Sequence, residues 1–271
     1  MTTMQKTAGT TRRPARGVSP RRWWKASSVL SKVAVVGVFF ISWHLAVELW
    51  LPSYLPTPLG VLAAITPTFL SPEFGSAVQE STIAIVIGLL IGAFLGTTLG
   101  LISGRLLWLQ QLLSPYINGL YALPLLAIVP PTTIWLGYTG DARLALIIVA
   151  AFLPCAVSTA DGASSVPSSL NDVVEVYRVS GFRRLIDLVL PSSLPFVVAG
   201  LHVAVGRAII AAVSVEFIAG LNGLGTFILL NARSFNQNTA FVGVLVLALF
   251  GGLARVAIIW LLRRSAPWHQ Q

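Results

Sequence analysis

Long apolar stretches alternate with short polar ones along the chain, and each apolar stretch is long enough to cross a bilayer as a helix. The pattern predicts six transmembrane helices, at residues 29–51, 82–102, 114–136, 142–160, 193–215 and 240–262. Inside lipid, a helix satisfies its own backbone hydrogen bonds. We therefore expect an all-α integral membrane protein with six transmembrane helices.

The connection between the fourth and fifth predicted helices, residues 168–191, is polar but patterned to fold. Ser169, followed three residues later by Asp172, predicts a helix N-cap with an acidic residue in the first turn. Apolar residues then recur at helical spacing: Val173, Val174 and Tyr177. Gly181 predicts a left-handed end to this helix, and a second short helix should stop at Pro191. Such a rigid pair of helices suits docking onto another protein.

Glycine and proline mark two of the predicted membrane helices. The second has glycine at every fourth position, a stripe that permits close helix packing: Gly88, Gly92, Gly96 and Gly100. The third should be broken by Pro124, Pro130 and Pro131, which free backbone carbonyls beside a protein partner or a watery cavity. A simple kink is the alternative interpretation of these prolines.

Composition and charge agree with a membrane location. Of the 271 residues, 55% are hydrophobic and only 10% are charged, against roughly 25% charged in soluble proteins. Fourteen of the eighteen Lys and Arg residues fall on the side of the membrane that holds both termini and residues 168–191. This bias predicts that side to be cytoplasmic. Residues 1–28 form a basic tail expected near anionic lipid headgroups, residues 29–265 form the membrane domain, and the clustering of charge at helix ends argues against nucleic acid as a partner.

Enzymatic chemistry finds no support in the residues. None of the three lysines follows a glycine, so a Walker A phosphate-binding loop is absent from the sequence. The three histidines lack metal-ligand spacing with each other, the cysteine or the acids. We expect no catalytic residue, no metal and no cofactor.

Two charges lie within the fifth predicted helix, and charges there tend to face a bundle interior or water. Arg207 and Glu216 are nine residues apart, roughly 13 Å along a helix, so each needs another partner. Arg207 either lines an anion pathway, binds a carbonyl of the broken third helix, or serves as a hydrogen-bond hub between helices. Together with Pro124 and Pro130, these two charges are our candidate pathway residues.

Four residues of the polar connection match a known motif: Glu175, Gly181, Leu190 and Pro191. Leu188 stands where that motif usually has Ile, and Val176 and Tyr177 replace its two alanines. The connection resembles the EAA loop of binding-protein-dependent ABC importer permeases. Further segments are similar to the sulfonate, taurine and nitrate branch of that family: residues 55–62, 122–137, 206–208, 215–216, 223–225, 231–235, 261–264 and 268–269.

The resemblance implies an ABC type I importer permease of a bacterial cell membrane, moving a small anionic solute such as a sulfonate, taurine or nitrate. It implies a homodimer, a cytoplasmic ABC ATPase dimer that hydrolyses the ATP, and an extracytoplasmic solute-binding protein. The residues that couple to the ATPase would then be Asp172, Glu175, Val176, Tyr177, Gly181, Leu190 and Pro191. A secondary transporter or channel without an ATPase is the first alternative, and a membrane enzyme or scaffold the second.

Overall fold

Helices account for nearly all of the part of the chain that the computed structural model describes, residues 23–50 and 55–265. Residues 1–22 of the predicted tail lie outside it, and the first helix already begins at Trp23. No strand occurs between these bounds. The helices are α1 Trp23–Trp50, α2 Pro58–Leu70, α3 Pro72–Ser103, α4 Leu107–Ala122, α5 Leu125–Leu136, α6 Gly140–Ser164, α7 Ser168–Val176, α8 Gly181–Arg184, a π-helical turn Leu185–Val189, α9 Leu190–Ala219, α10 Leu224–Arg233 and α11 Gln237–Ser265.

Five helical segments of the described chain are long and apolar enough to cross a membrane: α1, α3, α6, α9 with its preceding π turn, and α11. A sixth span results if α4 and α5 are counted together, although they meet at an angle of 100°. The all-α membrane fold is therefore confirmed. The predicted bounds of the third helix, 114–136, were wrong, because α4 begins at Leu107 and the segment is divided in two.

The division lies at Leu123 and Pro124. Leu123 has an extended backbone, with ψ 135°, as expected for a residue before proline. Pro130 and Pro131 do not break α5, contrary to the prediction. Both prolines are exposed. Each leaves unpaired the carbonyl four residues before it, and in this short helix those carbonyls lie in the exposed first turn.

The core is a stack of three long helices with α6 in the middle. The predicted glycine stripe of α3 lies directly on α6, as expected for close packing. A Cβ atom at Gly92 would be 2.5 Å from the carbonyl oxygen of Ile148, and one at Gly100 would be 2.6 Å from that of Ala156. On the other side of α6, Gly200 of α9 makes a similar close approach to the Pro154 carbonyl.

The two ends of this stack differ. At the end where α3 and α6 begin and α9 finishes, α2 and α10 pack against α3 and α11 through Val61, Phe74, Leu224 and Val242. We call this the Glu216 end. The opposite end carries residues 168–191 and is called the loop end. Helix α1 lies at the periphery, where Trp43 contacts Phe241 of α11 with ring centroids 6.0 Å apart.

Candidate functional site

A buried carboxylate organises the Glu216 end. Glu216 is fully buried near the end of α9. Its Oε1 accepts hydrogen bonds from the Ser81 hydroxyl at 2.7 Å and from Nη1 of Arg143 at 3.2 Å. Its Oε2 accepts one from the backbone N–H of Gly225 at 2.7 Å. Three elements, α3, α6 and α10, thus donate to a single side chain of α9.

Arg143 extends this network to the surface. Its Nη1 also donates to the backbone carbonyl of Asn222 at 2.8 Å, and its Nη2 donates to Glu80 at 3.1 Å. The Glu80 side chain is 52% exposed, whereas that of Arg143 is only 8% exposed. The partner required for Glu216 is therefore Arg143, which the sequence alone did not identify. A pathway role for Glu216 stays a prediction.

Two glycines make room for the Glu216 carboxylate. A Cβ atom at Gly225 would lie 2.9 Å from Oε2 of Glu216, and one at Gly223 would clash with the carboxyl carbon. Both glycines stand at the start of α10, where backbone N–H groups and the helix dipole favour a negative charge. The carboxylate therefore holds the start of α10 against α9.

Arg207 stacks on an aromatic ring near the bend between α4 and α5. Its Cζ lies 3.7 Å from the centroid of the Tyr121 ring, three residues before Pro124. It is half-buried and has no hydrogen bond or ion pair within the described residues, so two of the three alternatives, the bond to a carbonyl and the hydrogen-bond hub, are wrong. Glu216 takes no part in the contact between Arg207 and Tyr121, and Pro130 is exposed on α5. The four candidate pathway residues do not form one cluster.

The polar connection begins as two short helices, but the predicted cap, the predicted left-handed end and the predicted stop at Pro191 were wrong. Helix α7 has Pro167 at its N-cap and no side-chain cap, so Ser169 lies inside the helix and Asp172 lies beyond the first turn, contrary to the prediction. The left-handed residue at its end is Arg178, with φ 49°, and not Gly181, which begins α8. The N–H of Val179 donates to the carbonyl of Val174, closing the helix end in the manner of a Schellman motif.

Pro191 does not stop the second short helix. Helix α8, the π turn and α9 follow one another without a gap from Gly181 to Ala219. The wider π turn directly before the proline, closed by a bond from the Leu190 N–H to the Leu185 carbonyl, fits a residue that lacks an N–H and crowds the preceding turn. The second half of the polar connection, from Gly181, is therefore the start of a membrane-spanning helix.

Apolar side chains of α7 point away from the rest of the subunit. Val176 is 80% exposed, Tyr177 77% and Val173 53%. Asp172 and Glu175 are exposed beside them. Leu190 and Pro191 are half-buried and so belong to a different surface. The loop end therefore presents an apolar patch, rimmed by acids, outside the segments that could span a membrane.

Comparison with known proteins gives consistent matches over most of the chain. Residues 84–269 match the family model described as binding-protein-dependent transport system inner membrane component. An Escherichia coli protein named as an aliphatic sulfonates transport permease, SsuC, is 32% identical over 86% of this chain and 89% of its own. The taurine transport system permease protein TauC of Escherichia coli is 26% identical over 92% and 93%. The nitrate import permease protein NrtB of Synechococcus elongatus is 28% identical over 80% and 83%.

Proposed function

Because this chain belongs to the family of binding-protein-dependent transport system inner membrane components, we propose that it is the permease subunit of an ATP-driven importer. Two copies form the membrane pathway, a separate ATPase dimer binds the loop end, and a solute-binding protein delivers the solute at the Glu216 end. The excess of basic residues at the loop end supports a cytoplasmic location for it and for both termini.

The apolar patch on α7 carries the proposal of an ATPase partner. Large apolar side chains outside the lipid mark protein interaction sites when they are contiguous. Val173, Val176 and Tyr177 are such a group on one short helix. Asp172 and Glu175 add charge at the rim, as in many protein interfaces. Helix α7 would therefore sit in a cleft of the ATPase.

Gly181 supports the same interface. Its φ is not positive, and a Cβ atom there would have no neighbour within 4 Å. The subunit itself thus gives no reason for glycine at this exposed position. Close approach of a partner would give one, because only glycine leaves room for it. Leu190 and Pro191 act indirectly, by continuing the loop into α9.

The solute class follows from the relatives. Their names refer to aliphatic sulfonates, taurine and nitrate, which share a negatively charged group with three terminal oxygens. Arg207 is the pathway residue best suited to such a group, since its guanidinium has no acidic partner in the described chain. Its ring partner Tyr121 lies in the last turn of α4, directly before the bend at Pro124. We propose that Glu216 maintains the outer end of the pathway and does not bind solute.

Gly181→Trp tests the coupling role. The variant should reach the membrane but lose uptake and copurification with the ATPase, because the indole would fill the space kept for the partner. Gly75→Trp is a matched control at the Glu216 end, where a Cβ atom is equally free of neighbours. It should keep copurification with the ATPase, which is proposed to bind the opposite end. Unchanged uptake by Gly181→Trp, or ATP-independent uptake by vesicles holding this chain alone, would contradict the proposal.

A further inference from the structure

Helix α4 carries a line of polar side chains that the sequence patterns did not reveal. Gln110, Ser114, Asn118 and Tyr121 follow one another at intervals of four, four and three residues. At about 100° per residue these positions fall within roughly 80° of the helix circumference. Along the axis they extend over about 16 Å. We call these four residues the polar track.

The lower part of the polar track borders a cavity at the loop end. The cavity has a volume of about 80 Å³ and room for more than one water molecule. Gln110, Ser114 and Asn118 line it from α4, and Ser103 and Asp161 add polar groups from α3 and α6. Asn118 donates to the Ser114 hydroxyl at 3.0 Å, which leaves further amide donors and acceptors available.

The upper end of the polar track is closed by Arg207. Tyr121 covers one face of the guanidinium at 3.7 Å, so the charge is held in place while the N–H donors at its edge remain unused among the described residues. A cation in a membrane helix without an acidic partner is costly. An anion that visits the site would relieve that cost.

We propose that the polar track and Arg207 form the solute-binding stretch of the pathway, and that it takes a small oxyanion with three terminal oxygens. This inference rests on the proposed permease function. Arg207 would bind the oxygens along its N–H edge, and Asn118 and Ser114 would donate to the anion in succession as it moves one and two turns further along the track. Tyr121 is a positioning residue, because it acts by holding Arg207. Asp161, exposed at the lower end, repels an anion and thereby favours its release.

Cysteine labelling in membrane vesicles that contain the full transporter tests the polar track without knowledge of the solute. Cys155, the single cysteine, is first replaced by alanine, and Asn118→Cys, Ser114→Cys and Gln110→Cys are made one at a time. Each is treated with an anionic sulfonatoethyl and a cationic trimethylammonium-ethyl methanethiosulfonate reagent. The ratio of anionic to cationic labelling rates should be highest at Asn118, nearest Arg207, and lowest at Gln110.

Arg207→Gln should lower the ratio at Asn118→Cys on the order of tenfold, since the charge lies about one turn away. Tyr121→Leu should lower this ratio by a smaller factor. Tyr121→Phe, which keeps the stacked ring, should leave the ratio at the value found with Tyr121. A merely structural role of Tyr121 would not change this ratio. If Arg207→Gln fails to assemble, the test is the change in the labelling ratio from Asn118 to Ser114 to Gln110 in the protein that keeps Arg207.

A flat gradient, or no reaction at Asn118→Cys with either reagent, would overturn the inference. The permease proposal would stand in that case, because labelling does not measure transport. Unchanged uptake in Gly181→Trp would instead count against the permease proposal and leave the labelling result intact.

Discussion

Removal of the Glu216 side chain is the strongest test of the anchoring network at the Glu216 end. In Glu216→Ala, the Gly225 N–H and the Ser81 hydroxyl proton lose their acceptor in a fully buried place. Arg143 keeps its ion pair with Glu80 and its hydrogen bond to the Asn222 carbonyl, so it loses one partner and is not left unpaired. The variant should therefore unfold more readily while retaining the general arrangement of α6 and α9.

The size of the effect follows from the contacts. Hydrogen bonds to a charged group contribute about 1.5–3 kcal/mol each, and Glu216 accepts three of them. Those values are not additive, and breaking a buried ion pair costs about 3–5 kcal/mol in measured cases. We expect a loss within that range, which corresponds to a fall in melting temperature on the order of 10 °C.

Thermal unfolding of the purified subunit in detergent measures this loss. Glu80→Gln is the matched control, because its half-exposed side chain makes the other ion pair of Arg143 and should contribute about 1 kcal/mol or less. Variants that still assemble should keep the KM for solute. If Glu216→Ala has an unchanged melting temperature and an altered KM, Glu216 does not stabilise this end of the subunit and a role in the pathway is favoured.

Two further predictions concern helix packing and the loop. Gly92→Ala should lose about 1–3 kcal/mol of stability through its clash with the Ile148 carbonyl. Gly119→Ala, with no neighbour within 4 Å, should be neutral or gain up to about 1 kcal/mol in the same unfolding assay. Arg178→Gly should relieve about 1 kcal/mol of left-handed strain and slow hydrogen exchange in α7, whereas Arg178→Val should speed it. Equal exchange in both variants would argue against strain at this position.

The features that the sequence predicted well are those set by local chemistry. Hydropathy located the membrane helices, and the four-residue spacing of the α3 glycines predicted a close helix contact, which α6 supplies. Both depend on the physics of a bilayer and of helical periodicity, so they need no knowledge of neighbours. The bend at Pro124 was also visible, because proline constrains the residue before it.

Features that depend on distant neighbours could not be predicted in the same way. Glu216 and Arg143 are 73 residues apart, and nothing in either segment indicates the other. The polar track was overlooked because serine, asparagine and glutamine in an apolar helix give a weak signal until a cavity is seen beside them. Pro191 was misjudged since the effect of a proline depends on the turn before it, here a π turn.

The continuity of the helix from Gly181 to Ala219 suggests how the proposed coupling reaches the solute. One end of this rod is the exposed loop, and the other is tied by Glu216 to α3, α6 and α10. Arg207 lies between them, and its guanidinium stacks on the Tyr121 ring with no ion pair in the described chain. A stacked ring at a partly exposed site contributes about 0.5–1 kcal/mol, far less than the Glu216 network. If the proposed ATPase pushes on the loop, we therefore expect Arg207 to separate from Tyr121 before the Glu216 end loosens.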